Sequence, residues 1–241
     1  MSTIKGVFFD LGGTLFSYRN VARTNIPILI DSVRRMNLDT SDTDIKRAYG
    51  QATKEISHAY GDKSYYLHHD LFHDLYVRFC EIIGASYDAN IHRQYHEVQQ
   101  RALFGSLELK SDCIETLATL KERGLYLSVV SNIDDAMLEP LVERENLHHY
   151  LDHWTSSETA RSCKPDAGFF NFALKKASLD AENILFVGDS PEHDIAGAKQ
   201  VGMGTVLIVE EGIKPPLQTG RGAISPDYTV NTLKEICALV E

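Results

Sequence analysis

The apolar pattern opens with an unbroken run, Ile4 to Phe9, rich in β-formers and halted at Asp10. Gly12-Gly13-Thr14 follow as turn material, so the spacing predicts a buried strand with a carboxylate at its C-terminal end. From Ser17 to Gly105 the texture changes. Apolar residues recur at helical spacing, as in Ile28, Leu29, Val33 and Met36, and again in Leu71, Leu75, Phe79 and Ile82. Strand-like runs are absent there, and the segment reads as several α-helices.

Beyond Gly105 strands and helices alternate. Ser111 to Arg123 reads as a helix stopped by Gly124, and Leu125 to Val130 as a strand ending at Ser131-Asn132. Helical patterns over Ala136 to Glu145, Ala167 to Ala177 and Asp194 to Val201 are separated by strand patterns at His153 to Ser156 and Ile184 to Val187. The second of these ends at Gly188-Asp189. Strands over Thr205 to Val209 and Tyr228 to Val230 follow, then a closing helix over Leu233 to Val240. This alternation predicts an α/β fold, a Rossmann-like parallel sheet covered by helices. Such sheets hold ligands at the carboxyl ends of their strands. The strand-terminal residues Asp10, Ser131 and Asp189 are therefore the informative ones. We expect a core domain over 1–16 and 106–241, with 17–105 inserted as an α-helical cap over the ligand end.

Composition narrows the partners. The 241 residues carry 24 Lys and Arg against 34 Asp and Glu, a net charge of −10. That surplus of acid disfavours a nucleic-acid partner and a polybasic membrane contact, because both rely on clustered cations. No stretch is long and apolar enough for a transmembrane helix, and the N-terminus does not resemble a signal peptide. Cys80, Cys113, Cys163 and Cys237 show no paired spacing, so a reducing, cytoplasmic setting is expected. The acid is unevenly spread. Segment 17–105 holds 11 basic and 11 acidic residues, so the whole deficit lies in the expected core. The same segment carries six of the ten histidines, and unperturbed imidazoles would turn it net positive below about pH 6.5.

Four features in order carry the chemistry: Asp10-Leu11-Gly12-Gly13-Thr14, Ser131-Asn132, Lys164-Pro165, and Gly188-Asp189-Ser190-Pro191-Glu192-His193-Asp194. Together they resemble the haloacid dehalogenase (HAD) superfamily, whose members are mostly phosphatases and often carry a helical cap after the first motif. A carboxylate such as Asp10 can attack phosphorus and form an acyl-phosphate. Its charge needs neutralising as a phosphate dianion approaches, a task suited to a hard, oxygen-preferring ion such as Mg²⁺. Asp10 and Asp189 offer two ligands. The resemblance implies the Gly12 carbonyl as a third, and Asp194 as a ligand through water or an orienting group. Lys164 supplies a fixed positive charge, and Ser131 a hydroxyl, for the phosphoryl oxygens. Gly13, Thr14 and Asn132 complete the expected substrate side. The Thr14 hydroxyl is expected to brace the first loop, and the Asn132 amide to reach the substrate. The expected partner is a small anionic, phosphorylated molecule.

The sequence departs from the family at one position. The superfamily's phosphatases usually carry a second Asp two residues after the nucleophile, as acid/base; here that residue is Gly12. Such assistance is worth roughly 10²–10⁴-fold in rate. One reading keeps a Mg²⁺-dependent phosphatase with the acid/base drawn from His58, His68, His69, His73, His92, His96 or His193. A second is a catalytically weak phosphate- and Mg²⁺-binding sensor or interaction module. A metal-independent 2-haloacid dehalogenase also lacks the second Asp, but Asp189 and Asp194 make an acidic pocket that makes sense mainly with a cation. A phosphonate-cleaving relative would need a Schiff-base lysine in the cap, where Lys46, Lys54 and Lys63 have no distinctive context. Gly12→Asp is expected to raise turnover if the missing acid limits the rate. Tyr65-Tyr66 and His68-His69 form a polar-aromatic group suited to a ring or hydroxyl-rich substrate, or simply to the surface.

Overall fold

The computed structural model describes residues 3–222 and 224–240. Its centre is a six-stranded sheet in which every pairing is parallel. The strands are β1 (Gly6–Phe9), β4 (Tyr126–Ser131), β5 (His153–Ser156), β6 (Ile184–Gly188), β7 (Gly204–Ile208) and β8 (Tyr228–Val230). Their spatial order is β5-β4-β1-β6-β7-β8. A second, two-stranded antiparallel ladder joins β2 (Phe16–Ser17) to β3 (Glu108–Leu109). The helices are α1 (Val21–Arg35), α2 (Asp42–Gly61), α3 (His68–Ile83), α4 (Ala89–Ser106), α5 (Cys113–Glu122), α6 (Asp135–Arg144), α7 (Ser157–Ala160), α8 (Ala167–Ala177) and α9 (Ala196–Gln200).

Both faces of the sheet are buried, as parallel sheets require. Alternation along β1 sends Val7 and Phe9 to one face, where they meet Leu127, Val129, Leu185 and Val187. Phe8 points to the other face, against Val130, Phe170 and Phe186. Register then decides the site. Phe9 lies opposite Val129 of β4 and Val187 of β6. The next residues of the three strands, Asp10, Val130-Ser131 and Gly188-Asp189, therefore emerge together at one carboxyl edge.

Helices α1–α4 bury a separate cluster of their own, including Leu29, Val33, Ile45, Leu75, Tyr76 and Phe79. Leu29, Val33, Leu75 and Phe79 are among the positions whose helical spacing marks the segment in the sequence. The β2–β3 ladder pairs the two chain crossings beside this helical unit, with Ser17 opposite Glu108. The sequence does not announce it, because two residues are too few for a period to show. The helical unit is also tied to the loop after β4. Asp134 accepts hydrogen bonds from the backbone N–H groups of His68 and His69, 2.8 Å each. It thus caps the start of α3 from a distant part of the chain. Cys163 N–H donates to the Ser64 carbonyl at 2.7 Å, fixing the strand-like lead-in to the same helix.

Two other expected elements differ. The helix expected from Asp194 begins earlier, as a π-type turn over Pro191–Ile195, and only Ala196–Gln200 is α-helical. Ser190 caps it, its hydroxyl accepting from His193 N–H at 3.0 Å, and Pro191 at the first position has no N–H to satisfy. The closing helix is a 3₁₀ stretch, Leu233–Ala238, opened by a reciprocal Thr232–Glu235 capping box.

Asp134→Ala removes the distant cap of α3. It is expected to lower unfolding free energy by about 1–2 kcal/mol, read from urea unfolding, and to raise protease cleavage between residues 62 and 70.

Candidate active site

The carboxyl edge gathers a tight ionic cluster. Asp10 follows β1, and its N–H is held by the Val187 carbonyl at 2.9 Å. Asp10 Oδ1 accepts from Ser131 Oγ at 2.9 Å and from Lys164 Nζ at 2.6 Å. Lys164 Nζ also donates to Asp194 Oδ1 at 2.6 Å. Lys164 is 3% exposed and Asp194 1%, so this is a buried bridge in which one cation joins two anions. Asp189 adds a third carboxylate. Ligand oxygens of Asp10, Asp189 and Asp194 all lie within 4.8 Å of one another, alone among the described residues in forming such a group.

Each position is enforced locally. Gly13 has φ +81°, and a Cβ there would lie 2.0 Å from Asp189 Oδ2, so only glycine fits beneath that carboxylate. A Cβ on Gly188 would lie 2.3 Å from Asp194 Oδ2. Asp194 Oδ2 accepts from Ser190 N–H at 2.9 Å, which aims its other oxygen at Lys164. Asn132 fixes the lysine backbone twice: its Nδ2 donates to the Lys164 carbonyl at 3.0 Å, and its Oδ1 accepts from Lys164 N–H at 2.7 Å. Its amide is therefore engaged in placing Lys164, with one Nδ2 hydrogen left over toward the cleft it lines.

The first loop is not braced as expected. The Thr14 hydroxyl is buried with no hydrogen-bond partner. The loop is held instead by backbone bonds, Gly13 N–H to the Phe16 carbonyl at 2.6 Å and Leu15 and Phe16 N–H to the Leu11 carbonyl at 2.9 Å. Lys110 Nζ donates to the Gly13 carbonyl at 2.7 Å. Lys110 is absent from any motif, and only the β2–β3 ladder brings it to this loop.

Electrostatics follow from burial. Desolvation raises the Asp189 carboxyl well above its ordinary value, and the charges of Asp10 and Asp194 raise it further. Asp10 is also raised by burial, against the pull of Lys164. One lysine does not balance two buried carboxylates and a third that is half-buried. The donor set is all oxygen and carries an unneutralised negative charge, which suits a hard divalent cation and not a soft one.

The histidines divide sharply. His68 and His193 line the cleft with Tyr18, Tyr66, Ser131 and Asn132. Burial pushes His68 down to about 4 and lowers His193. His58 lines a neighbouring cavity with Glu192 and Thr219. His69, His73, His92 and His96 instead stack on one another between α3 and α4, with ring centroids 4.8–6.0 Å apart. Burial lowers His92 to about 4 and lowers His96. His68 and His92 therefore stay neutral near pH 6, and the expected positive turn of the helical segment below pH 6.5 loses these two charges.

The group facing Gly12 is Tyr18. A Cβ on Gly12 would lie 2.1 Å from the Tyr18 hydroxyl oxygen. A side chain at position 12 and the Tyr18 phenol thus claim the same volume. Gly12→Asp by itself requires the phenol to shift. Sequence spacing gave no sign of Tyr18; its place depends on the β2 turn.

An α/β sheet with a buried lysine-bridged carboxylate cluster at its strand ends defines a hydrolase-type site. A family model described as haloacid dehalogenase-like hydrolase matches residues 4–202. A glyceraldehyde 3-phosphate phosphatase of Methanocaldococcus jannaschii is 30% identical over 247 residues, covering 99% of this chain and 97% of that protein. An (S)-2-haloacid dehalogenase 4A of Burkholderia cepacia is 23% identical, covering 100% and 96%. The magnesium-bound HAD-hydrolase YfnB of Bacillus subtilis superposes with a TM-score of 0.76 at 18% identity, each chain covered in full. The chain belongs to the haloacid dehalogenase-like hydrolase family and is a hydrolase.

The raised carboxyls carry a pH consequence. A group whose folded pKa lies above its unfolded value favours the folded state at low pH, and that contribution fades as pH climbs through the folded pKa. Asp189 is such a group, so in chelator the protein is expected to lose stability as pH rises above about 3.8, its ordinary value. Asp189→Asn should flatten that slope, as read from thermal melts across pH in EDTA.

Proposed function

We propose that the chain is a Mg²⁺-dependent phosphatase acting on a small phosphorylated metabolite through an aspartyl-phosphate on Asp10. One observation carries this reading: Asp10 and Asp194 share one buried lysine, and half-buried Asp189 brings a third carboxylate, with oxygens of all three within 4.8 Å of one another. Asp189 and Asp194 make an acidic pocket that makes sense mainly with a cation, which counts against a dehalogenase working on carbon without metal. A phosphatase uses them to hold a cation.

The Asp10 Oδ1 atom is occupied by Ser131 and Lys164. That orientation leaves Oδ2 as the attacking oxygen. Asp10, Asp189 and the Gly12 carbonyl would hold Mg²⁺, with Asp194 beside them; when bound, the ion supplies charge neutralisation for the phosphoryl group. Ser131 and the Lys164 ammonium bind the phosphoryl oxygens, with Gly13 and Thr14 contributing the loop that faces them. Asn132 and Asp194 act as positioning residues for Lys164.

Segment 17–105 serves as a cap over a core formed by 1–16 and 106–241, with the β2–β3 ladder at the crossing. Tyr66 and His68 then face the reacting centre from the cap side, held by Asp134 and Cys163. The four cysteines are free, in keeping with a reducing cytoplasm. Among the described residues no helix is long and apolar enough to cross a membrane. Tyr18 in the acid/base position also favours a second reading, a phosphate-binding module with slow turnover.

A panel of phosphorylated metabolites and aryl phosphates, assayed with Mg²⁺ and with EDTA, tests the assignment. Activity should require Mg²⁺ and vanish in Asp10→Asn, and acid-quenched wild-type protein should carry phosphate on the Asp10 peptide. Lys164→Ala should cost about 10²–10³-fold in kcat. Halide release from a 2-haloacid without metal would overturn the reading. A Mg²⁺- and phosphate-dependent thermal shift with no turnover would favour the binding module.

A further inference from the structure

Three observations converge on Tyr18. Its hydroxyl stands 2.1 Å from where a Gly12 Cβ would be, and its ring lies 3.0 Å from a Cβ on Gly13, so it fills the space beside the nucleophile's loop. Both neighbours in the chain are anchored. Ser17 Oγ donates to Glu210 Oε1 at 2.7 Å, and Arg19 Nε donates to the same oxygen at 3.1 Å. Glu210 lies just past β7 of the sheet, so the chain on both sides of Tyr18 is tied to the sheet. It also lines the cleft with Asp10, Ser131 and Lys164, and its hydroxyl makes no hydrogen bond to a described protein group; a phenol, ordinarily with a pKa of about 10, is a far weaker acid than a carboxyl.

We propose that Tyr18 takes the place of the acid/base group and gives the leaving oxygen a hydrogen bond but no proton, restricting the site to phosphoryl donors whose leaving group departs as a stable anion. Acyl phosphates, phosphoanhydrides and aryl phosphates meet that condition; simple alkyl phosphates do not. This rests on the phosphatase reading above and specifies its substrate class.

The chemistry balances without an acid. The bond from Asp10 oxygen to phosphorus forms as the bond from phosphorus to the leaving oxygen breaks. The electron pair stays on that oxygen, which departs as carboxylate, phosphate or phenolate, while the phenol keeps its proton. Water then adds to phosphorus, the Asp10–phosphorus bond breaks, and both water hydrogens leave on dihydrogen phosphate. An alkoxide cannot depart this way at a useful rate. The proton it lacks is the assistance worth roughly 10²–10⁴-fold.

The test is the leaving-group dependence of kcat/KM for the full chain in Mg²⁺. The probes are acetyl phosphate, pyrophosphate, p-nitrophenyl phosphate, phenyl phosphate and glycerol phosphate. The wild type should fall about 10²–10⁴-fold from the best leaving groups to the alkyl ester. Tyr18→Phe should lose a further 2–10-fold, about the worth of one hydrogen bond, on every substrate that is cleaved. The double variant Gly12→Asp with Tyr18→Ala frees the volume for a carboxylate and should flatten the slope by raising alkyl-ester activity. The wild-type slope decides the matter even if the double variant does not fold. A flat wild-type profile overturns this proposal alone. So does a slope that steepens only in His68→Gln or His193→Gln, since an imidazole would then be supplying the proton. Cleavage of none of the probes overturns the phosphatase reading and this proposal with it.

Discussion

The structure is organised around the electrostatic problem of three carboxylates in one buried pocket. Asp10, Asp189 and Asp194 approach to within 4.8 Å with Lys164 as the single buried counter-charge. Left alone, such a cluster opposes folding, because desolvation and mutual repulsion both penalise its charge. The protein answers with rigid local devices. Asn132 clamps the lysine backbone, the Ser190 N–H steers Asp194, and Gly13 and Gly188 leave room for oxygens where any Cβ would intrude. Strain of this kind persists only where surrounding structure over-determines it, and it marks where chemistry is done.

The surrounding architecture holds that pocket in place. Parallel register delivers Asp10, Ser131 and Asp189 to the same edge of the sheet. The α1–α4 unit has its own apolar core, so it can sit over this edge without sharing the packing of the sheet. Its attachment is polar and specific. Asp134 caps α3 from the loop after β4, Cys163 holds the lead-in to the same helix, and Glu210 pins the turn that carries Tyr18. Each of these residues acts far from itself in sequence.

The net charge of −10 takes on a different meaning in this light. A surplus of acid argues against anionic partners when read over the whole chain. The 17–105 segment is balanced, however, and three of the remaining acids form the pocket itself, where a divalent cation would offset the local negative charge. An anionic ligand would meet the field of the cleft, which differs from that of the surface.

The alternating strands, the helical segment and the order of the four motifs are legible in the sequence because each rests on local periodicity or on a residue that abruptly ends an apolar run. Asp10, Ser131, Lys164, Asp189 and Asp194 are legible for the same reason. What the sequence does not show is which side chain fills an empty place. Gly12 announces a missing carboxylate, but the Tyr18 phenol that occupies its volume is chosen by the β2 turn and by Glu210, nearly 200 residues away. Likewise a threonine hydroxyl in a conspicuous motif is left without a partner, while Lys110, in no motif, holds the loop. Local sequence determined the strands and the charges at their ends, because backbone preference acts over a few residues. The tertiary structure alone decided what faces Gly12, because volume is shared between segments that meet only when the chain is folded.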